Sequence, residues 1–103
     1  MSALVFVEQT PLTGRRHPVA PDTTIGRQGC DVLLVDPEVS RQHAMVRDGP
    51  VIEDLGSTNG TWLNGRRIAG AEPLHHGDVV QFGNTVWHVL DAEAASETTI
   101  QQR

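Results

Sequence analysis

The chain has 103 residues and 38% hydrophobic content, enough for one modest core and too little for a second domain. Eight basic residues, every one an arginine, face thirteen aspartates and glutamates; the net charge of -5 argues against a general binder of nucleic acid or membrane surfaces, while leaving room for a local basic site. The longest apolar run, Ala3 to Val7, is too short to cross a bilayer and lacks the flanks of a signal peptide, so a cytoplasmic location is expected.

Taken in chain order, short apolar stretches alternate with turn chemistry. "LVFVE" from Leu4, "HPVA" from His17, "TTIG" from Thr23, "VLLV" from Val32, "HAMVR" from His43 and "VIEDL" from Val51 make the first half. "TWL" from Thr61, "RRI" from Arg66, "DVVQF" from Asp78 and "TVWHVL" from Thr85 make the second. Strands this short, punctuated this often, indicate an all-β sandwich or barrel. Asn64-Gly65 between "TWL" and "RRI" is the signal for a two-residue type I′ hairpin, because both central positions need positive φ. Gly77-Asp78 is expected to form the turn before the penultimate strand, with Asp78 capping it. Cys30 has no cysteine to pair with and reads as a small, buried or half-buried filler. From Asp91 the sequence "DAEAASETTIQQR" loses its strand character and reads as a solvated acidic tail.

Three loops hold more polar and special residues than turning requires: Ile25 to Arg27, Ser40 to His43, and Gly56 to Gly60. Each alone is ordinary surface turn chemistry. Together they supply a guanidinium, hydroxyls, an amide and glycines that let backbone N–H groups face outward, an inventory suited to gripping a phosphorylated peptide.

The order "GR", "SRQH", "LGSTNGTWLNG", "LHHGDVVQFG" resembles the forkhead-associated (FHA) domain over Val5 to Leu90. That resemblance implies an eleven-stranded β-sandwich over residues 1–91, with loops at one end that bind phosphothreonine peptides without catalysis or cofactor, in Ser/Thr kinase signalling. Residue by residue, it gives Arg27 and Ser40 to the phosphate, Arg41 to a second charge on it, Thr58 to the phosphate and the ligand methyl, and Asn59 to the peptide main chain. Gly26, Gly56, Gly60 and His43 become structural support, with the glycines in backbone conformations closed to other residues and His43 buried and hydrogen-bonded. Trp62 and Leu63 are expected to anchor the neighbouring turn in the core. Glu38, two places before Ser40, should disfavour an acidic residue at the third ligand position after the phosphothreonine.

Catalytic readings fare poorly. His75 and His76 are adjacent, which on a strand sends them to opposite faces, and no acid or cysteine stands beside them at ligand spacing. No Gly-x-Ser-x-Gly elbow occurs, and a chain without lysine has no Walker loop. The alternative from another class is a phosphate-independent structural or oligomerising β-domain. In the segment 92–103, Glu97-Thr98-Thr99 resembles a Glu-Thr-Thr segment that some family members present to kinases and then bind with their own domain. There it precedes the domain and here it follows, so Thr98 and Thr99 are candidate phosphosites for self-association between molecules.

Overall fold

The computed structural model describes residues 3–93, and within them the chain forms two packed β-sheets. Eleven strands follow one another: β1 (Leu4–Thr10), β2 (Arg16–Pro18), β3 (Thr24–Gly26), β4 (Val32–Leu33), β5 (Ala44–Arg47) and β6 (Val51–Asp54), then β7 (Thr61–Leu63), β8 (Arg66–Arg67), β9 (Ala71–Pro73), β10 (Val79–Phe82) and β11 (Thr85–Asp91). One sheet has the order β2-β1-β11-β10-β7-β8 and the other β4-β3-β5-β6-β9. Every pairing is antiparallel except β3 with β4.

Period-two patterning decides which side chains fill the space between the sheets. In β11, Thr85, Trp87 and Val89 point inward, and in β10, Val80 and Phe82 do the same. They meet Phe6, Ile25, Val46 and Ile52, all essentially solvent-free. Phe6 and Trp87 pack edge to face with centroids 6.3 Å apart, an arrangement that adds about 0.5–1.5 kcal/mol to simple burial. The same alternation corrects one expectation. Leu63 is buried, but its neighbour Trp62 lies on the outer face at 36% exposure, because consecutive strand residues cannot both face the core.

The β7–β8 turn has the expected form, with Asn64 at φ 53° and Gly65 at φ 82°. Asp78 caps its turn by accepting the His75 N–H at 2.7 Å, and it also receives the Asn64 side-chain amide at 3.0 Å. His75 and His76 lie outside the strands, each beside a carboxylate (Asp78 at 3.7 Å and Asp91 at 3.8 Å), so the expectation that no acid stands near them is corrected. Among the described residues no group of three or more His, Cys, Asp or Glu comes together. No helix among them is long and apolar enough to cross a membrane.

Candidate functional site

The loops after β3, between β4 and β5, and between β6 and β7 converge on a shallow depression of about 360 Å³. Its walls are Arg27, Pro37, Glu38, Val39, Ser40, Arg41, Thr58 and Asn59. All five residues expected to bind ligand therefore share one concavity, although they are drawn from three separate segments of chain.

Backbone bonds fasten the first two loops together. The Arg27 N–H is shared between the carbonyls of Ser40 and Arg41, both at 3.1 Å, and the Arg27 Nε–H donates to Val39 O at 2.9 Å. That last bond fixes the plane of the guanidinium and leaves its Nη groups without a partner among the described residues. The Arg41 side chain has no ion pair there either, and both arginines are exposed. Gly26 is required for close approach rather than for unusual φ: a Cβ at this position would stand 2.1 Å from the Arg41 carbonyl oxygen and 2.8 Å from Cys30 Sγ. This corrects the expectation of a special backbone conformation at Gly26, and it places half-buried Cys30 as the filler beneath the loop.

His43 joins the second loop to the third. It is fully buried, its Nδ1 accepts the Ser40 N–H at 3.0 Å, and its Nε2 lies 2.9 Å from Gly60 O. A backbone N–H can only donate and a carbonyl can only accept, so the ring is the tautomer with hydrogen on Nε2. The Thr58 N–H donates to Ser40 Oγ at 3.1 Å, which leaves the Ser40 hydroxyl proton free to point into the depression. Asn59 Nδ2 donates to Glu38 O at 2.7 Å and Glu38 Oε1 at 3.1 Å.

Asp54 shapes the third loop from below. Its Oδ2 accepts the N–H groups of Gly56 and Ser57 at 3.0 and 3.1 Å, and its Oδ1 accepts the hydroxyls of Ser57 and Thr61 at 2.5 and 2.8 Å. Ser57 in turn accepts the Gly60 N–H at 3.0 Å. Gly56 and Gly60 take φ of +75° and +84°, the left-handed region in which a side chain is strained. Asp36 acts similarly between the second loop and the β10–β11 turn, accepting from Glu38 N, Asn84 N and Thr85 Oγ1 at 2.9, 2.7 and 3.1 Å. Sequence reading missed both roles. For Asp54 the available signal was a Ser three residues later in a glycine-containing loop, the spacing of side-chain-to-backbone turns; Asp36 had no such signal.

Burial pushes the Asp54 carboxyl upward, but the hydrogen bonds from Ser57, Thr61 and Gly56 outweigh it and hold its pKa below the usual carboxylate value. Asp36 behaves alike: burial opposes, and the bonds from Glu38, Asn84 and Thr85 prevail. A folded-state pKa below the unfolded value stabilises the fold above that unfolded value, and the contribution disappears as pH falls through the folded value. Melting temperature should therefore decline below about pH 4. Asp54→Asn should be less stable by about 1–3 kcal/mol at neutral pH and should show a flatter acid decline. A parallel decline in wild type and variant would remove Asp54 from this role.

The FHA domain family model matches residues 23–83, which includes every wall of the depression. The chain belongs to the FHA domain family. Human kanadaptin is 41% identical over 96 residues, covering 72% of this chain and 13% of that protein. The ABC transporter ATP-binding/permease protein Rv1747 of Mycobacterium tuberculosis is 46% identical over 78 residues, covering 71% of this chain and 9% of that protein. The chain thus spans a small part of the curated relatives it matches. A structure of Mycobacterium tuberculosis EmbR in complex with a low-affinity phosphopeptide superposes with a TM-score of 0.80 at 31% identity, covering 88% of this chain and 25% of that one. In the FHA fold, then, the depression lies at the loop end of the sandwich, and the expected eleven strands in two sheets are present.

Proposed function

We propose that this FHA domain binds phosphothreonine peptides through the depression between its three loops. The observation that carries the reading is the presence there of two arginines without acidic partners among the described residues and a serine hydroxyl already held by Thr58 N–H, all on one concave surface. In this reading the Arg27 Nη groups and the Arg41 guanidinium take phosphate oxygens, Ser40 donates its hydroxyl, and Thr58 stands beside the phosphate and the ligand methyl. Asn59 exchanges its bonds to Glu38 for bonds to the peptide main chain, which offers both donors and acceptors to an amide. Gly56, Gly60, His43 and Gly26 hold the loops in place. The role is binding and not catalysis, and the domain is taken as residues 1–91 with 92–103 as an appended tail.

Phosphothreonine in a protein is the product of a Ser/Thr kinase, so the partner class is a kinase substrate, and a cytoplasmic setting suits it. Thr98 and Thr99 fall outside the described residues. If phosphorylated, they would be ligands for a second molecule: β11 runs from Thr85, bonded to Asp36, through seven residues away from the loop end, about 20 Å. Residues 91 to 98 reach only about 25 Å when fully extended, leaving little chain to fold back onto the site.

The test is a titration with one phosphothreonine peptide, its phosphoserine counterpart and the unphosphorylated form. Only the phosphorylated forms should bind. One buried methyl is worth about 0.8 kcal/mol, close to fourfold, and the stiffness of a β-branched side chain adds to it, so threonine should win by more than about fourfold. Equal binding with and without phosphate would favour the structural or oligomerising reading, and parity between the two phosphopeptides would remove the methyl contact at Thr58.

A further inference from the structure

A second cationic feature adjoins the depression. Arg67, on β8, is exposed and lies across Gly60, the residue directly after Asn59: a Cβ on Gly60 would stand 2.4 Å from Arg67 Nε and 2.9 Å from its Cζ. The absence of that Cβ is what lets the guanidinium rest against the backbone there. Arg67 has no acidic partner among the described residues, whereas its neighbour Arg66 stands 3.9 Å from Glu72. Trp62 is directly opposite Arg67 in the β7–β8 ladder, also exposed, and its indole N–H donates to Asn59 O at 3.2 Å. A cation without an acidic partner among the described residues, lying over the Gly60 backbone and opposite an exposed tryptophan in the ladder, thus stands one residue beyond Asn59. Across Asn59, the carboxylate of Glu38 holds that residue's amide.

We propose that Arg67, backed by Trp62, is a specificity-determining residue that takes the carboxylate of an Asp or Glu on the same phosphopeptide; the inference rests on the phosphothreonine reading above. Consecutive Cα atoms lie 3.8 Å apart, and an extended peptide advances about 3.3–3.6 Å per residue. A carboxylate within about four residues of the phosphothreonine, on the side that passes Gly60, can therefore reach the guanidinium. Arginine suits the task because its planar fork donates two parallel hydrogen bonds to a carboxylate and loses less freedom per bond than a flexible ammonium would. Glu38 repels the same carboxylate where the peptide passes the other side of Asn59. The pair would make acidic residues welcome on one side of the phosphothreonine and unwelcome on the other.

The experiment is a walk of one glutamate through a phosphothreonine peptide whose other flanking residues are alanine, from four positions before to four after. Affinities are measured at low salt for wild type, Arg67→Ala and Arg67→Glu. One position should gain about threefold to fivefold in wild type, as an exposed ion pair allows. The gain should vanish in Arg67→Ala and become a loss in Arg67→Glu, while the all-alanine phosphopeptide binds wild type and Arg67→Ala alike and so vouches for their folding. Because Trp62 is exposed and Trp87 is not, fluorescence quenching by acrylamide should fall most with the favoured peptide. If the all-alanine phosphopeptide binds but no glutamate position gains, or the gain survives in Arg67→Ala, Arg67 does not read the peptide. If no phosphopeptide binds wild type at all, the phosphothreonine reading fails and this inference with it.

Discussion

Replacing Arg27 with alanine is expected to weaken phosphothreonine-peptide binding by about 2–5 kcal/mol, or about 30-fold to several thousand-fold. The range follows from geometry. The Arg27 Nε–H bond to Val39 O sets the orientation of the fork, and its Nη groups are left to face the depression. A phosphate arriving there without Arg27 gives up much of its hydration and regains too few charge-assisted bonds, each worth about 1.5–3 kcal/mol. For a complex near 1 μM, about -8 kcal/mol, the loss takes binding to the edge of detection by calorimetry. Arg27 is exposed, and its backbone bonds to Ser40 and Arg41 survive the substitution, so the melting temperature should move little. Arg27→Lys should recover only part of the affinity, because an ammonium cannot hold Val39 O and two phosphate oxygens at fixed angles. Phosphopeptide affinity within about threefold of wild type in Arg27→Ala would take the central role from this residue.

The contrast between Arg27 and Asp54 shows what a sequence exposes and what it conceals. Arg27, Ser40, Thr58 and Asn59, which the fold brings to one depression, could be singled out as candidates because each carries chemistry in excess of its turn, and because their order along the chain resembles a known pattern. Asp54 and Asp36 do their work inward. The partners of Asp54 all follow it closely in the chain, so only the spacing of a turn hints at its four hydrogen bonds, whereas Asp36 is bound by Asn84 and Thr85 from the far end of the sequence, which no local spacing shows. The strands divide along similar lines. Ten could be read from apolar alternation, whereas β9, Ala71–Pro73, is formed by "AEP", in which no residue has strong strand propensity and a proline is present. It exists because β6 offers an edge with which to pair. Trp62 misleads for the converse reason. A large aromatic next to a turn invites a core assignment, but the neighbours Thr61 and Leu63 own the inward positions of β7. Arg67 is not legible in the sequence, since an arginine on a two-residue edge strand is unremarkable until Gly60 is seen beneath it.

His43 should be the most costly single substitution for the architecture of the site, and two replacements separate its contributions. The imidazole is solvent-free, accepts from Ser40 N–H, donates to Gly60 O, and packs edge-on against Phe82 with centroids 5.6 Å apart. His43→Phe keeps the volume and the ring contact but strands the buried Gly60 carbonyl, at about 1–3 kcal/mol, and the half-buried Ser40 N–H, at about 1 kcal/mol, for an expected loss of about 2–4 kcal/mol. His43→Ala adds a cavity and should cost about 3–5 kcal/mol. For a small domain of about 5–15 kcal/mol total stability, either loss is plain in chemical denaturation, provided the slope with denaturant stays constant. Binding should suffer as well, although His43 does not line the depression. Its two bonds hold Ser40 at a set distance from the loop that carries Thr58 and Asn59, so a phosphopeptide meeting the variant must first order what wild type presents already ordered. Under conditions where His43→Phe is still folded, its affinity should fall while the all-or-none selection for phosphate persists, since Arg27 and Arg41 are intact. A variant that unfolds at the wild-type denaturant concentration, or binds phosphopeptide as wild type does, would mean that the loops hold their geometry without the imidazole bridge.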